Sequence, residues 1–358
     1  MKYIDEYRNK EIAQKITREI KTISKKKVNL MEVCGTHTVS IFRNGIRTIL
    51  PQNIHLLSGP GCPVCVTPIQ SIDEIIALSR EKDFIITTFG DMIRVPGSSS
   101  SLEKEKADGA DIRIVYSTLD ALNVARNNFG KEVVFMGVGF ETTSPTIASV
   151  ILKAKDEKIN NFSVLCVAKI MPPAMKFLLD AEEVNIDGFI SPGHVSAIIG
   201  SNPYNFIVAK YKIPCVVCGF EPLDILQTVY LLVKQIEERE AKVEIQYKRV
   251  VKPEGNKIAL EKLNKVFEVV DSNWRGIGII PKSGLEIRNE YNQYNARKFK
   301  VKIEETKEFA GCRCGEVLRG IIIPPECPLF RKICTPEDPK GACMVSSEGT
   351  CAAYYKYN

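Results

Sequence analysis

The sequence predicts an α/β protein: two similar parallel-sheet α/β domains facing a cleft, followed by a loop-rich C-terminal domain. Three observations predict it. Short Val/Ile-rich runs alternate with helical patterns through the first two-thirds of the chain. Similar motifs recur at an offset close to one hundred residues. Six of the twelve cysteines then fall between Cys312 and Cys351, in a stretch rich in Pro and Gly.

The expected strands are Val28–Val33, Ile54–Ser58, Phe84–Thr88 and Ile112–Tyr116, then Val133–Val138, Ser163–Ala168, Gly188–Ser191 and Pro214–Cys218. Helical spacing covers Ile69–Lys82, Ser117–Asn128, Thr146–Lys155 and Leu223–Glu240. Near-continuous apolar strands separated by helices are the pattern of parallel sheets buried on both faces. At the N-terminus, Ile4, Ile12, Ile16 and Ile20 lie near helical spacing among charged residues, as in an amphipathic surface helix.

The repeats set the domain plan. NLMEVCGTHT aligns with VFMGVGFETT, FIITTFGDMIRVPGS with GFISPGHVSAIIGS, and IRIVYSTLDALNVAR with IPCVVCGFEPLDILQ. The expected division is therefore residues 1–130, then 131–241 as a quasi-repeat, then 242–358. In the last part Glu244–Lys252 reads as one more strand, Asn256–Phe267 as a helix, and the chain beyond Trp274 as irregular. Ligands of open parallel sheets bind beyond the carboxyl ends of the strands. Cys34 to His37, Cys62 to Cys65 and Glu141 to Thr143 each follow an expected strand.

Bulk properties narrow the function. The net charge of +6 comes from 49 basic and 43 acidic residues with no long basic run, which argues against nucleic acid as a partner. No apolar run approaches the ~18 residues of a membrane span and the N-terminus lacks a signal-peptide core, so a cytoplasmic location is expected. In a reducing compartment, twelve cysteines point to metal binding or thiol chemistry rather than a disulfide framework.

The C-terminal cysteines are Cys312, Cys314, Cys327, Cys334, Cys343 and Cys351. They contain no paired C-x2-C knuckles, which disfavours structural zinc. Four thiolates on loop-rich chain suit a [4Fe–4S] cluster, with two cysteines left over. A tight CxC rarely places both sulfurs on one cluster, so one of Cys312 and Cys314 is free to reach another thiol.

The N-terminal group is VCGTHT, with Cys34 and His37, and GPGCPVC, with Cys62 and Cys65, ahead of the helix expected near Ile69. Thiolates near a helix start are favoured nucleophiles. Spacing alone leaves two readings level. Either zinc takes all four ligands, or Cys34 is an open iron ligand beside His37 while Cys62 and Cys65 form a reversible dithiol. A cluster elsewhere in the chain favours the second, because a zinc site needs no electron source. Glu141 in GFETT reads equally as a cleft acid or a helix N-terminal carboxylate. Cys215 and Cys218 lie three apart in a strand-like run, and with Cys166 read as core thiols. His194 lies in a loop after a strand and could line the cleft. The phosphate-binding glycine loop of nucleotide enzymes is not present.

Taken together, MEVCGTHT, GPGCPVCVTP, TFGDMIRVPGS, VGFETT, SPGHVSAIIG, CGFEPLDIL and the ending CRCGEVLRG…CPLF…CTPEDPKGACMVSSEGTCAAYY resemble the HypD family of hydrogenase maturation factors over nearly the whole chain. The resemblance implies a scaffold or metallochaperone with redox activity. On it the Fe(CN)2CO unit of a [NiFe] hydrogenase is assembled, in complex with the chaperone HypC and with cyanide delivered by HypE. It implies that Cys34 binds this transient Fe(II) beside His37, and that Cys62 and Cys65 are the cleft dithiol. It implies that Cys312, Cys327, Cys334 and Cys351 hold a [4Fe–4S] cluster. Cys314 and Cys343 would be the redox pair beside it, as in ferredoxin:thioredoxin reductase. Two other functions compatible with the residues are a cluster-dependent thiol–disulfide oxidoreductase that carries no additional iron, and a zinc-stapled binding protein.

Overall fold

The structure, a computed structural model, describes residues 5–181 and 183–358. Ile4 of the expected N-terminal pattern lies outside them. The remainder of that pattern forms the helix Lys10–Ile23, whose first turn is capped by the Asn9 side chain accepting from the N–H groups of Glu11 and Ile12. Ile20 is its buried anchor.

Nine strands run parallel in two sheets: β1 (Val28–Glu32), β2 (Ile54–Ser58), β3 (Phe84–Thr88), β4 (Ile112–Ile114), β5 (Glu132–Gly137), β6 (Phe162–Cys166), β7 (Gly188–Pro192), β8 (Cys215–Cys218) and β9 (Val243–Ile245). The first sheet has the order β2-β1-β7-β8-β9 and the second β4-β3-β5-β6. All eight strands expected from the apolar runs are present. The run beginning at Glu244 is shorter than expected, ending at Ile245. Every residue of β6, β7 and β8 is buried, as sheets covered on both faces require. Each fully buried Val or Ile contributes roughly 1.5–3 kcal/mol.

Sheet membership departs from the division at residues 130/131. β7 to β9, from the expected second domain, complete the sheet begun by β1 and β2, while β3 and β4, from the expected first, pair with β5 and β6. The chain leaves the first sheet through the helix Ile69–Ser79 and returns after the helix Met171–Ala181. Both halves carry the same strand–helix pattern. That local pattern fixes what a segment becomes, not which neighbour it pairs with.

The division at 242 shifts as well. β9 closes the edge of the first sheet. The helix Lys257–Val266 lies against the helix Ser144–Asp156. An antiparallel hairpin follows, β10 (Phe267–Trp274) and β11 (Gly278–Ile287), where irregular chain was expected. The polar run Asp271-Ser272-Asn273 hides β10 from an apolar-pattern reading, because most of its side chains point away from the core. Trp274 at the hairpin turn is fully buried, its Nε1–H donating to Ser283 Oγ at 2.8 Å.

Beyond Phe299 the chain is irregular, with short helices at Cys314–Leu318, Ala342–Val345 and Thr350–Tyr357. Among the described residues, no helix is long and apolar enough to cross a membrane.

Candidate functional site

Three loops and one helix start at the carboxyl edge of the first sheet meet around Cys34. The residue stands two positions past β1 as the N-cap of the helix Gly35–Arg43. Its backbone N–H donates to Glu32 Oε2 at 3.0 Å, and Thr38 Oγ1 donates to Glu32 Oε1 at 2.5 Å. The Gly-Pro-Gly loop after β2 lies directly on this turn. Gly35 N–H donates to Gly61 O at 3.0 Å, and a Cβ on Gly61 would stand 2.1 Å from the Cys34 nitrogen. Only glycine fits there. The loop after β8 supplies Gly219 O, 2.9 Å from His37 Nε2, and Phe220, whose ring stacks on His37 at 4.8 Å. His194, expected in a loop, lies instead in the first turn of the helix Gly193–Ile199 that follows β7 directly; it is exposed and stacks on Phe220 at 3.9 Å.

The electrostatics follow from burial. Desolvation pushes the Cys34 thiol up to about 12, with the Glu348 and Glu32 carboxylates adding to the rise. Desolvation likewise raises Glu32 to about 7 and lowers His37 to about 4, so the imidazole is neutral. With Nε2–H given to Gly219 O, His37 Nδ1 carries a lone pair and has no partner. A thiol this basic ionises when a cation binds it. Cys34, 8 % exposed, is a nearly buried soft donor.

Cys62 and Cys65 lie next to this turn. CPVC itself forms a one-turn helix, Pro63–Val66, with Cys62 as its cap and Cys65 N–H donating to Cys62 Sγ at 3.4 Å; the helix expected near Ile69 follows separately. Cys65 is fully buried, and its thiol is pushed well up by burial and by contacts with Cys343 and Cys62.

Cys343 enters from the C-terminal segment. Its helix, Ala342–Val345, packs on the CPVC turn, with Cys65 Sγ 4.0 Å from Ala342 O. Contacts from the thiols of Cys314, Cys351 and Cys65 hold Cys343 well below its ordinary range. On its far side, Cys312, Cys314, Cys327, Cys334 and Cys351 line one small cavity, closed by apolar side chains such as Leu329, Phe330 and Met344. A Cβ on Gly341 would stand 2.6 Å from Cys314 Sγ and 2.8 Å from Cys312 Sγ, so this glycine keeps the space between the sulfurs clear. Five thiols around a cleared space fit the donor set of an iron–sulfur cluster. Both members of the CxC pair line that cavity, and Cys314 also touches Cys343.

Among the described residues, no three His, Cys, Asp or Glu groups are arranged to hold a single metal ion. Cys34, His37, Cys62 and Cys65 are not gathered into one such group. Cys166, Cys215 and Cys218 are core thiols, as expected; Cys215 packs with Val217 on one face of β8 and Cys218 with Val216 on the other. Glu141 caps the helix Met171–Ala181 rather than its own, its Oε1 accepting from Met171 N–H at 2.9 Å. Its Oε2 is buried without a partner, and desolvation raises the acid to about 7. A cavity of about 480 Å³ between Phe177, Phe206 and Pro281 has no cysteine in its lining.

Two residues of the site went unread in the sequence. Glu32 is a carboxylate ending an apolar strand, and that break in pattern was its signal. Glu348 lies between Cys343 and Cys351 and accepts from Thr36 Oγ1 at 2.6 Å, on the first turn of the Cys34 helix. No local pattern in SSEG points to that long-range partner.

Fold and sulfur arrangement together define a class: a cysteine-rich α/β protein whose strand ends present one isolated thiol and whose C-terminal segment gathers five more around a cavity. The family model described as "HypD: Hydrogenase formation hypA family" matches residues 8–358. The chain is 47% identical to hydrogenase maturation factor HypD of Rhodobacter capsulatus, over all of this chain and 98% of that one. It is 46% identical to HypD2 of Bradyrhizobium diazoefficiens, with all of this chain and 97% of that one covered. For HypD of Escherichia coli the identity is 43%, again over all of this chain and 98% of the relative. The chain belongs to the HypD family of hydrogenase maturation factors.

Proposed function

We propose that this chain is the scaffold on which the Fe(CN)2CO unit of a [NiFe] hydrogenase is assembled, in complex with HypC and with cyanide delivered by HypE. The incoming Fe(II) is cargo. Cys34 is its thiolate ligand, a soft donor suited to low-spin iron carrying cyanide and carbonyl. His37 stands three residues along the same helix, neutral and with an unshared Nδ1 lone pair.

The observation that carries the reading is the unbroken run of thiols from Cys62 through Cys65 and Cys343 to Cys314 at the cysteine-lined cavity. Cys312, Cys327, Cys334 and Cys351 would hold a [4Fe–4S] cluster there. When bound, the cluster supplies electrons one at a time. The chain's own thiols supply the two-electron step. Cys343 attacks the Cys65 sulfur of a Cys62–Cys65 disulfide and releases Cys62; Cys314 then attacks Cys343 and releases Cys65. Two electrons and two protons pass from Cys314 and Cys343 to Cys62 and Cys65. The direction is set by the relative potentials of the two pairs.

Anaerobic co-purification with a HypC partner, followed by infrared spectroscopy, tests the reading. Cyanide and carbonyl stretches are expected in the complex and are lost in Cys34→Ala. Normal bands in that variant reject Cys34 as the ligand. Their absence from the unaltered complex, with thiol exchange intact, favours the oxidoreductase function instead.

A further inference from the structure

The thiol run depends on two segments far apart in sequence, and one turn touches both. The hairpin turn at Arg275-Gly276 reaches within one residue of Cys65 and within one residue of Cys314. Arg275 N–H donates to Val66 O at 2.9 Å, closing the CPVC helix. Gly276 lies backbone to backbone on Gly315: a Cβ on Gly276 would stand 2.6 Å from Gly315 Cα, and one on Gly315 would stand 2.0 Å from Gly276 O. Gly276 also has φ +70°, a region that favours glycine. Trp274, anchored through Ser283 and lying 5.9 Å from the Phe140 ring, fixes the base of the turn.

The Arg275 side chain adds a third tie. It is 4 % exposed, a rare state for a guanidinium. Its Nε and Nη2 donate to Glu308 Oε2 at 3.3 and 3.1 Å, four residues before Cys312, and Nη1 donates to Pro96 O at 3.4 Å. Three long hydrogen bonds, two of them to a half-exposed carboxylate, offset the burial of a guanidinium only weakly.

We infer that Arg275 is a positioning residue for thiol–disulfide exchange, holding the Cys62–Cys65 helix and the Cys312–Cys314 segment in register so that Cys65 and Cys343 meet. The inference rests on the redox reading above and adds a residue to it. Exchange requires in-line approach of one sulfur to another, and small displacements slow such reactions by orders of magnitude.

The test uses the full chain, purified anaerobically and oxidised with diamide, which takes two electrons and two protons from a thiol pair. Samples are alkylated at intervals, and the Cys62–Cys65, Cys65–Cys343 and Cys314–Cys343 disulfides are counted by peptide mass spectrometry. In Arg275→Met, appearance of Cys65–Cys343 is expected to slow at least tenfold while Cys62–Cys65 forms at the unaltered rate. Arg275→Lys, which keeps the charge but not the planar fork that spans Glu308 and Pro96, is expected to recover part of the lost rate. Equal slowing of both steps, no slowing, or a Lys variant as slow as Met overturns the inference while leaving the thiol relay standing. Absence of any Cys65–Cys343 or Cys314–Cys343 disulfide in the unaltered chain overturns the relay and the inference with it. Should Arg275→Met fail to fold, Glu308→Gln frees the guanidinium from the half-exposed side; there a threefold slowing is expected, and an unchanged rate overturns the inference.

Discussion

Around Cys34 the main chain does the holding, whereas around Cys312 to Cys351 a few short turns and the sulfurs themselves do. Cys34 follows a buried parallel strand, caps a helix of nine residues, and is wedged by Gly61 from the neighbouring strand end. Its geometry is fixed by sheet register before any ligand arrives. Three of the C-terminal cysteines sit on single turns, where Cys312 N–H donates to Phe309 O, Cys327 N–H to Pro324 O and Cys334 N–H to Leu329 O; Cys314, Cys343 and Cys351 sit on short helices. The segment docks on the core of the first sheet through Leu318, Phe330, Met344 and Tyr354, and a metal group bound among its thiols would add to its folding free energy. A single buried thiol at a strand end and a cysteine-lined cavity thus share one molecule, joined where Cys343 meets Cys65.

The sharpest way to break this contrast is Cys327→Ala. Loss of the brown visible absorption is expected, together with loss of hydrogen-exchange protection over residues 312–351 and unchanged protection in β1 to β8. An unaltered spectrum rejects Cys327 as a ligand, and loss of protection in β1 rejects the independence of the two regions. On the other side, Gly61→Ala drives a Cβ into the Cys34 backbone, which cannot move aside. A loss of about 3 kcal/mol or more in urea unfolding is expected, with the cysteine cage still able to take up iron.

A smaller effect concerns Glu141. Its folded-state pKa of about 7 lies above the ordinary 4.5, so between these values the native state binds more protons than the unfolded one. Its contribution is therefore most favourable below about pH 4.5 and is lost as pH rises through 7, with a limiting slope of roughly 1.4 kcal/mol per pH unit. Glu141→Gln is expected to flatten the urea-unfolding profile between pH 5 and 7; an unchanged slope contradicts the buried, partnerless oxygen. The smallest effect is Thr36→Val, which removes the hydrogen bond to Glu348. About 1 kcal/mol is expected, read as a modest drop in melting temperature, and no change contradicts the contact.

Much of this was readable from residues alone, for physical reasons. Strands buried on both faces leave unbroken apolar runs, and all eight expected ones are there. The cysteine motifs stood out because thiols cluster where sulfur chemistry needs them, and Cys312, Cys327, Cys334 and Cys351 do line one cavity. Pairing was not readable. β1 finds β7 across more than a hundred residues because of crossover geometry that no local period encodes. The β10–β11 hairpin was hidden by polar outward-facing positions, and with it the Arg275 turn. Glu348 was invisible because its meaning lies in a hydrogen bond to Thr36, more than three hundred positions away.

Iron counting most directly tests the claim that one chain carries two separate sulfur sites. The complex with HypC, isolated anaerobically, is compared with the same complex bearing Cys34→Ala or Cys327→Ala. The account predicts that Cys34→Ala retains the roughly four irons of a cluster and loses only the additional iron, while Cys327→Ala loses the cluster. Retention of cluster iron in Cys327→Ala, or its loss in Cys34→Ala, would contradict it.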